Sequence, residues 1–194
     1  MGVNLSKGQR VTLDKTMTLA LVGLGWDTNK YDGGADFDLD VSAFLLNASG
    51  KVSGDADFIF YNNLKSRNDA VIHTGDNLTG AGDGDDETLL VDFSKVPADV
   101  EKIAVTVTIY DAAARSQNFG QVSNSYVRLA KRADQNDMKG TELLRFDLVE
   151  DFSVETAVVV CELYRHASEW KFNAVGSGYQ GGLNSICRDY GVSV

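Results

Sequence analysis

Asp36-Phe-Asp-Leu-Asp-Val-Ser-Ala-Phe-Leu45 alternates with a period of two. In an extended chain successive side chains point to opposite faces, so Phe37, Leu39, Val41, Ala43 and Leu45 share one face. Asp36, Asp38, Asp40, Ser42 and Phe44 share the other, which begins as a row of carboxylates. A helical period would scatter both sets, so the stretch reads as a strand with an apolar side to bury. Working outward, the same signal recurs at Leu19–Trp26, Phe58–Tyr61, Leu89–Phe93, Ser125–Ala130, Glu142–Leu148, Glu155–His166 and Glu169–Ala174. It is clearest at Lys102–Tyr110, rich in β-branched residues. Helical signals are few. Asp111 stands as an N-cap before three alanines, and Gly182–Tyr190 reads as a short closing helix with Gly191 as its stop. Gly176-Ser-Gly-Tyr-Gln-Gly-Gly182 reads as a loop. Many short strands with few helices predict an all-β fold, a two-sheet antiparallel β-sandwich with a few short helices. A chain of 194 residues without a repeat or linker is expected to form one domain over residues 1–194.

The net charge is −10, and its placement is uneven. From Asp27 to Glu87 there are 13 acidic residues against four basic ones, a local balance of −9 that leaves −1 for the rest. Such a surface argues against nucleic acid, whose phosphates need basic partners. The most apolar run, Thr156–Tyr164, is interrupted by Glu162 and is far short of a membrane span. The N-terminal segment lacks the apolar centre of a signal peptide, which makes the cytoplasm the expected compartment. Cys161 and Cys187 have no zinc spacing and read as reduced, packed thiols.

Aspartate outnumbers glutamate 21 to 7. Short carboxylates in glycine-rich turns converge oxygens on one point, which is what a hard cation requires. Two stretches show this pattern. Asp76-Asn-Leu-Thr-Gly-Ala-Gly-Asp-Gly-Asp-Asp-Glu87 has the length of an EF-hand loop, but Leu78 and Gly80 occupy positions that must carry oxygen side chains, so it is not one. It reads either as a wrapped calcium loop or as a flexible acidic turn. In the opening stretch Asp36, Asp38 and Asp40 lie about 7 Å apart on one strand face, beside Asp27 and Asp32, an unfavourable stack unless a cation lies between them. A charged edge strand would account for one or two of these aspartates. The Asn62-Asn63 pair offers amide carbonyls, and is also ordinary turn chemistry. Candidate metal ligands are therefore Asp27, Asp36, Asp38, Asp40, Asn62, Asp76, Asn77, Asp83, Asp85, Asp86 and Glu87, in two groups that predict two calcium ions. His73, beside the acidic loop, is the one histidine placed to act as a base for a metal-dependent hydrolase.

Taken together, these segments resemble the TerD family of tellurite-resistance and bacterial stress proteins. The resemblance is carried by Leu21-Val-Gly-Leu-Gly-Trp-Asp27, Asp36-Phe-Asp-Leu-Asp40, Asp57-Phe-Ile-Phe-Tyr-Asn-Asn-Leu64, His73-Thr-Gly-Asp-Asn-Leu-Thr-Gly80, Gly84-Asp-Asp-Glu87, Val107-Thr-Ile-Tyr-Asp-Ala112 and Glu162-Leu-Tyr-Arg-His166, in that order along nearly the whole chain. It implies a calcium-binding β-sandwich of the cytoplasm, without established catalysis, acting in stress resistance beside other tellurite-resistance proteins, including a membrane partner such as TerC. Tyr110 stands where the family pattern has a histidine before Asp111, which weakens a catalytic reading there. The alternative is a calcium-dependent lectin-like or membrane-docking sandwich. Membrane docking needs large apolar residues at the loop tips, and only Leu78 and Tyr31 offer them.

Overall fold

The computed structural model describes residues 2–30, 34–148, 152–167 and 169–193. Tyr31, singled out as an apolar loop tip, and Asp32, beside the expected carboxylate row, lie outside them. The strands are β1 (Val3–Asn4), β2 (Arg10–Thr12), β3 (Leu19–Gly25), β4 (Leu39–Leu46), β5 (Phe58–Ile59), β6 (Val71–His73), β7 (Glu87–Asp92), β8 (Lys102–Ile109), β9 (Tyr126–Lys131), β10 (Thr141–Asp147), β11 (Ala157–His166) and β12 (Glu169–Tyr179). Two helices join them, α1 (Ala112–Arg115) and α2 (Gly182–Tyr190). One sheet runs β1-β10-β9-β3-β7-β6 and the other β2-β12-β11-β8-β4-β5. All pairings are antiparallel except the short β1 against β10. The chain is thus the expected all-β sandwich.

Alternation explains what each face meets. Leu39, Val41, Ala43 and Leu45 of β4, with Ile103, Val105 and Val107 of β8, face Val22, Leu24, Leu89 and Leu129 across the sandwich, all fully or nearly fully buried. Each such side chain contributes about 1.5–3 kcal/mol by leaving water. On β11 the register shifts between Val159 and Cys161 against both neighbours, and this bulge lets both Val160 and Cys161 join the inner core. Cys161 packs there as a free thiol. The outer face of β4 is covered as well. Phe44, Leu46, Ala104, Ala157 and Val159 form a second cluster with Ile186 and Cys187 of α2. Gly191, at φ 81°, ends α2 in the left-handed conformation expected of a helix stop.

Three local expectations change. β12 continues to Tyr179, so Gly176 and Gly178 sit inside a strand rather than in a loop. A Cβ on Gly178 would lie 2.4 Å from Glu155 Cγ, which marks close approach rather than a chain break. Asp111 precedes α1 in the left-handed conformation, φ 48°, and its side chain makes no capping hydrogen bond. β4 begins at Leu39, so Asp36 and Asp38, expected on its carboxylate face, precede the strand; strands β1, β2 and β6, with two or three residues each, are too short to show a period.

Candidate metal centre

Three carboxylates meet at one end of the sandwich. Asp38 lies just before β4, Asp40 lies within it, and Asp76 comes from the loop between β6 and β7; their nearest ligand oxygens all lie within 4.8 Å of one another. Asp38 and Asp40 are only 5% and 4% exposed, whereas Asp76 is exposed at the rim. Asp38 Oδ1 is buried and has no hydrogen-bond partner. Its other oxygen lies 3.7 Å from Arg115 Nη2, a single cation facing three acids. Burial pushes the Asp40 carboxyl up to about 8, reinforced by Glu87, Asp38 and Asp76. Asp38 is raised too, chiefly by burial, with Arg115 pulling the other way. Without a cation the cluster opposes its own ionisation; a divalent ion reverses that balance. The donors are all carboxylate oxygens, with neither nitrogen nor sulfur, and so suit a hard cation such as calcium.

Glu87 holds the cluster together from behind. One carboxylate oxygen, Oε2, accepts the Val41 N–H of β4 at 2.7 Å, and Oε1 accepts the Asn77 N–H at 3.2 Å. The side chain, 1% exposed, thereby ties the strand carrying Asp40 to the loop carrying Asp76. Burial raises its pKa, opposed by His73 and by the N–H groups it accepts. His73 is itself 2% exposed, with Nδ1 accepting the Gly75 N–H and Nε2 lying 3.5 Å from Glu87 Oε2. A histidine so enclosed supports the loop and does not present a base to solvent.

The other residues singled out by sequence go elsewhere. Asp85 turns away from the triad: Arg128 grips it through Nε at 2.7 Å and Nη2 at 2.7 Å, and the Tyr126 hydroxyl donates to it at 3.2 Å. Asp86 accepts the Trp26 N–H and the Asn77 side-chain amide. Asn77 accepts the N–H groups of Thr79 and Gly80, an Asx turn that shapes the loop. Asp27 is bound by Lys30 and Asn124 at the surface. Asp36 is exposed and offers its backbone carbonyl to Gln117 and Arg115. Asp83 and Asn62 are exposed. Asp38, Asp40 and Asp76 are thus drawn into one cluster, with Asn77, Asp86 and Glu87 supporting it.

Two glycines signal this arrangement. Gly23 pairs with Arg128, and a Cβ there would lie 2.1 Å from Asp85 Oδ2. Gly80, at φ +68°, lies against the Trp26 indole, where a Cβ would come within 2.4 Å of Nε1. That indole donates to the Phe37 carbonyl at 2.9 Å, locking the loop to the approach of β4. A glycine inside a strand marks something packed closely over it, here a buried ion pair. Sequence reasoning missed Arg128, Arg115 and Gln117.

The fold and the site together define an all-β sandwich with a candidate hard-metal site where carboxylates converge at one end. The TerD domain family model matches residues 1–190, and the chain belongs to that family. It is 59% identical to General stress protein 16U of Bacillus subtilis (strain 168), over all of both chains. It is likewise 59% identical to the tellurium resistance protein TerD of Alcaligenes sp, over all of this chain and 99% of that one. A crystal structure of a TerD homologue from Streptomyces coelicolor A3(2) superposes with a TM-score of 0.72 at 22% identity, covering 88% of this chain and 95% of that one; at that identity it speaks to the fold alone.

Proposed function

We propose that this protein is a calcium-binding stress-resistance module that acts through binding or signalling rather than catalysis. The observation that carries this reading is the Asp38, Asp40 and Asp76 cluster, with a buried carboxylate oxygen on Asp38 that no protein group satisfies. Asp38, Asp40 and Asp76 are the proposed ligands, and the ion supplies the positive charge that three converging acids lack. The geometry favours one ion per chain over two, because Asp85 is neutralised by Arg128 while Asp86 and Glu87 are engaged by backbone N–H groups. Calcium accepts six to eight oxygens in flexible geometry, so an exposed rim carboxylate beside a buried strand suits it better than magnesium's strict octahedron. The stress and tellurium-resistance names of the relatives support the biological setting. Non-catalytic action is supported by the enclosure of His73.

Among the described residues no helix is long and apolar enough to cross a membrane. Work in the cytoplasm beside other tellurite-resistance proteins, among them a membrane partner such as TerC, completes the reading. Calorimetric titration of chelator-treated protein tests it. Wild type takes up calcium with at least about tenfold preference over magnesium, and Asp38→Asn or Asp40→Asn loses that uptake. Equal binding of both ions, or undiminished binding by the variants, contradicts the assignment.

A further inference from the structure

A cleft of about 580 Å³ opens beside the acidic triad, between the end of β8, α1 and the first turn of α2. That volume lies within the range of small-molecule sites, about 300–1,000 Å³. Asp40 belongs to both places, so the ion site and the cleft share a wall. We propose that this cleft binds a neutral polyhydroxylated ligand, a sugar or the end of a glycan, together with the ion at the triad; this rests on the calcium reading.

The chemistry of the lining selects the ligand. Tyr61 and Tyr110 meet edge to face, with ring centroids 6.4 Å apart and planes at 82°. Tyr110 is 46% exposed despite its size, and Arg115 lies 5.3 Å from its ring centroid. Held aromatic faces with polar tips are suited to the C–H face of a sugar ring. The opposite wall is the start of α2, where Gly181 supplies no side-chain cap. The Gly182 N–H is taken by Thr156 Oγ1 at 3.2 Å, and the amide side chains of Gln180 and Asn184 line the space beside it. The amides of Gln180 and Asn184 can donate and accept, whereas ionised Asp40 and Asp111 only accept. A hydroxyl does both and matches each wall.

Charge excludes the obvious competitor. Among the described residues, neither lysine, arginine nor histidine lines the cleft, while two aspartates do, and Arg115, against the Tyr110 ring, is already paired with Asp38, so a phosphate would meet carboxylates with little counter-charge besides the helix end and the ion. The triad brings one carboxylate oxygen from each of three residues together, fewer than the six to eight oxygens that calcium takes. Vicinal hydroxyls are oxygen donors of the same hard kind, and Asp40 places the cleft next to the ion. Ion and ligand are therefore expected to bind cooperatively, each favouring the other equally.

Nitrogen-15 NMR on the full chain tests this. Calcium is added first and read at the amides of residues 38–41 and 74–77. Methyl glucoside, methyl mannoside, methyl galactoside and myo-inositol follow at millimolar concentrations, beside a short oligosaccharide and inorganic phosphate. The expected result is a shift of the amides of 108–113 and 180–184 by at least one polyol, abolished by chelator. A methyl glycoside that suffices points to a free sugar, and a requirement for the oligosaccharide points to a glycan end; either supports the site. Tyr110→Ala weakens the polyol about two- to tenfold, the worth of an aromatic contact, with calcium uptake unchanged. Asp76→Asn, outside the cleft lining, weakens both. If calcium shifts its own amides and none of the polyols moves the cleft, the inference is overturned and the calcium reading stands. Polyol binding indifferent to chelator, or phosphate as the sole ligand of the cleft, also overturns it. If calcium moves nothing, the calcium reading fails and the linked binding falls with it.

Discussion

Asp40→Asn in chelated protein is the sharpest perturbation of the fold by its own site. The folded carboxyl titrates at about 8 and its ordinary value is 3.8. Because the folded pKa is raised, the folded chain holds the proton more tightly than the unfolded chain. The stability associated with that proton is fully present below 3.8 and is lost as pH rises toward about 8. Complete ionisation in the fold then costs about 6 kcal/mol, at about 1.4 kcal/mol for each tenfold of affinity. Asparagine removes the charge but leaves a buried amide, whose unmet hydrogen bonds cost about 1–3 kcal/mol. The net expectation is that Asp40→Asn stabilises the chelated protein by about 3–5 kcal/mol near pH 9 and changes little near pH 4. Carboxyls with lowered values, such as Asp92 and Asp137, act below 3.8 in the opposite sense, while Asp38, Asp86 and Glu87, also raised by burial, act in the same sense as Asp40, so the effect is read as the difference between wild type and variant. Urea unfolding at several pH values in chelator reads the effect. With calcium at a hundred times its dissociation constant, wild type gains about 2.7 kcal/mol and the variant gains little. A chelated wild type whose stability does not fall between those pH values, or a variant destabilised throughout, refutes the reasoning.

Arg128→Ala leaves Asp85 buried without its partner and is expected to lower stability by about 3 kcal/mol in urea unfolding, while Asp85→Asn leaves calcium affinity unchanged in calorimetry. Gly23→Ala drives a methyl into the Asp85 carboxylate and is expected to cost about 1–3 kcal/mol, read as a drop in the melting temperature with or without calcium. Chelation is expected to speed hydrogen exchange at residues 37–41 and 74–77 and to leave β8 and β11 protected, because those strands are held by apolar burial; uniform loosening would contradict a metal-organised end.

Where local periodicity governs, the sequence was sufficient. β4 and β8 declare themselves by alternation, and α2 by its apolar pattern and Gly191. The acidic end depends on contacts across long separations. Asp40 sits in β4 and Asp38 just before it, in the stretch whose carboxylate row was legible, but their partner is Asp76, and Asp85 is diverted by Arg128, 43 residues away. That diversion follows from the register of β3 against β9, which puts Gly23 opposite Arg128. The expected second ion group joined Asp76, Asp83, Asp85, Asp86 and Glu87 by their density in sequence, whereas Asp76 lies against Asp38 and Asp40. Density places carboxylates on one loop without deciding which way each one turns, and here backbone N–H groups and Arg128 take three of the other four. The glycines at 23 and 25, inside an otherwise apolar strand, are the local trace of what packs over them: Asp85 on the first and Tyr126 on the second.

The central claim is that one hard cation sits on Asp38, Asp40 and Asp76. Calorimetric titration of chelator-treated wild type and of Asp76→Asn, with the endpoint counted per chain, tests it most directly. The account predicts one calcium per wild-type chain and loss of that binding in the variant, whose exposed position makes misfolding an inadequate explanation. Two ions per chain, or an unaltered endpoint and affinity in Asp76→Asn, would contradict it.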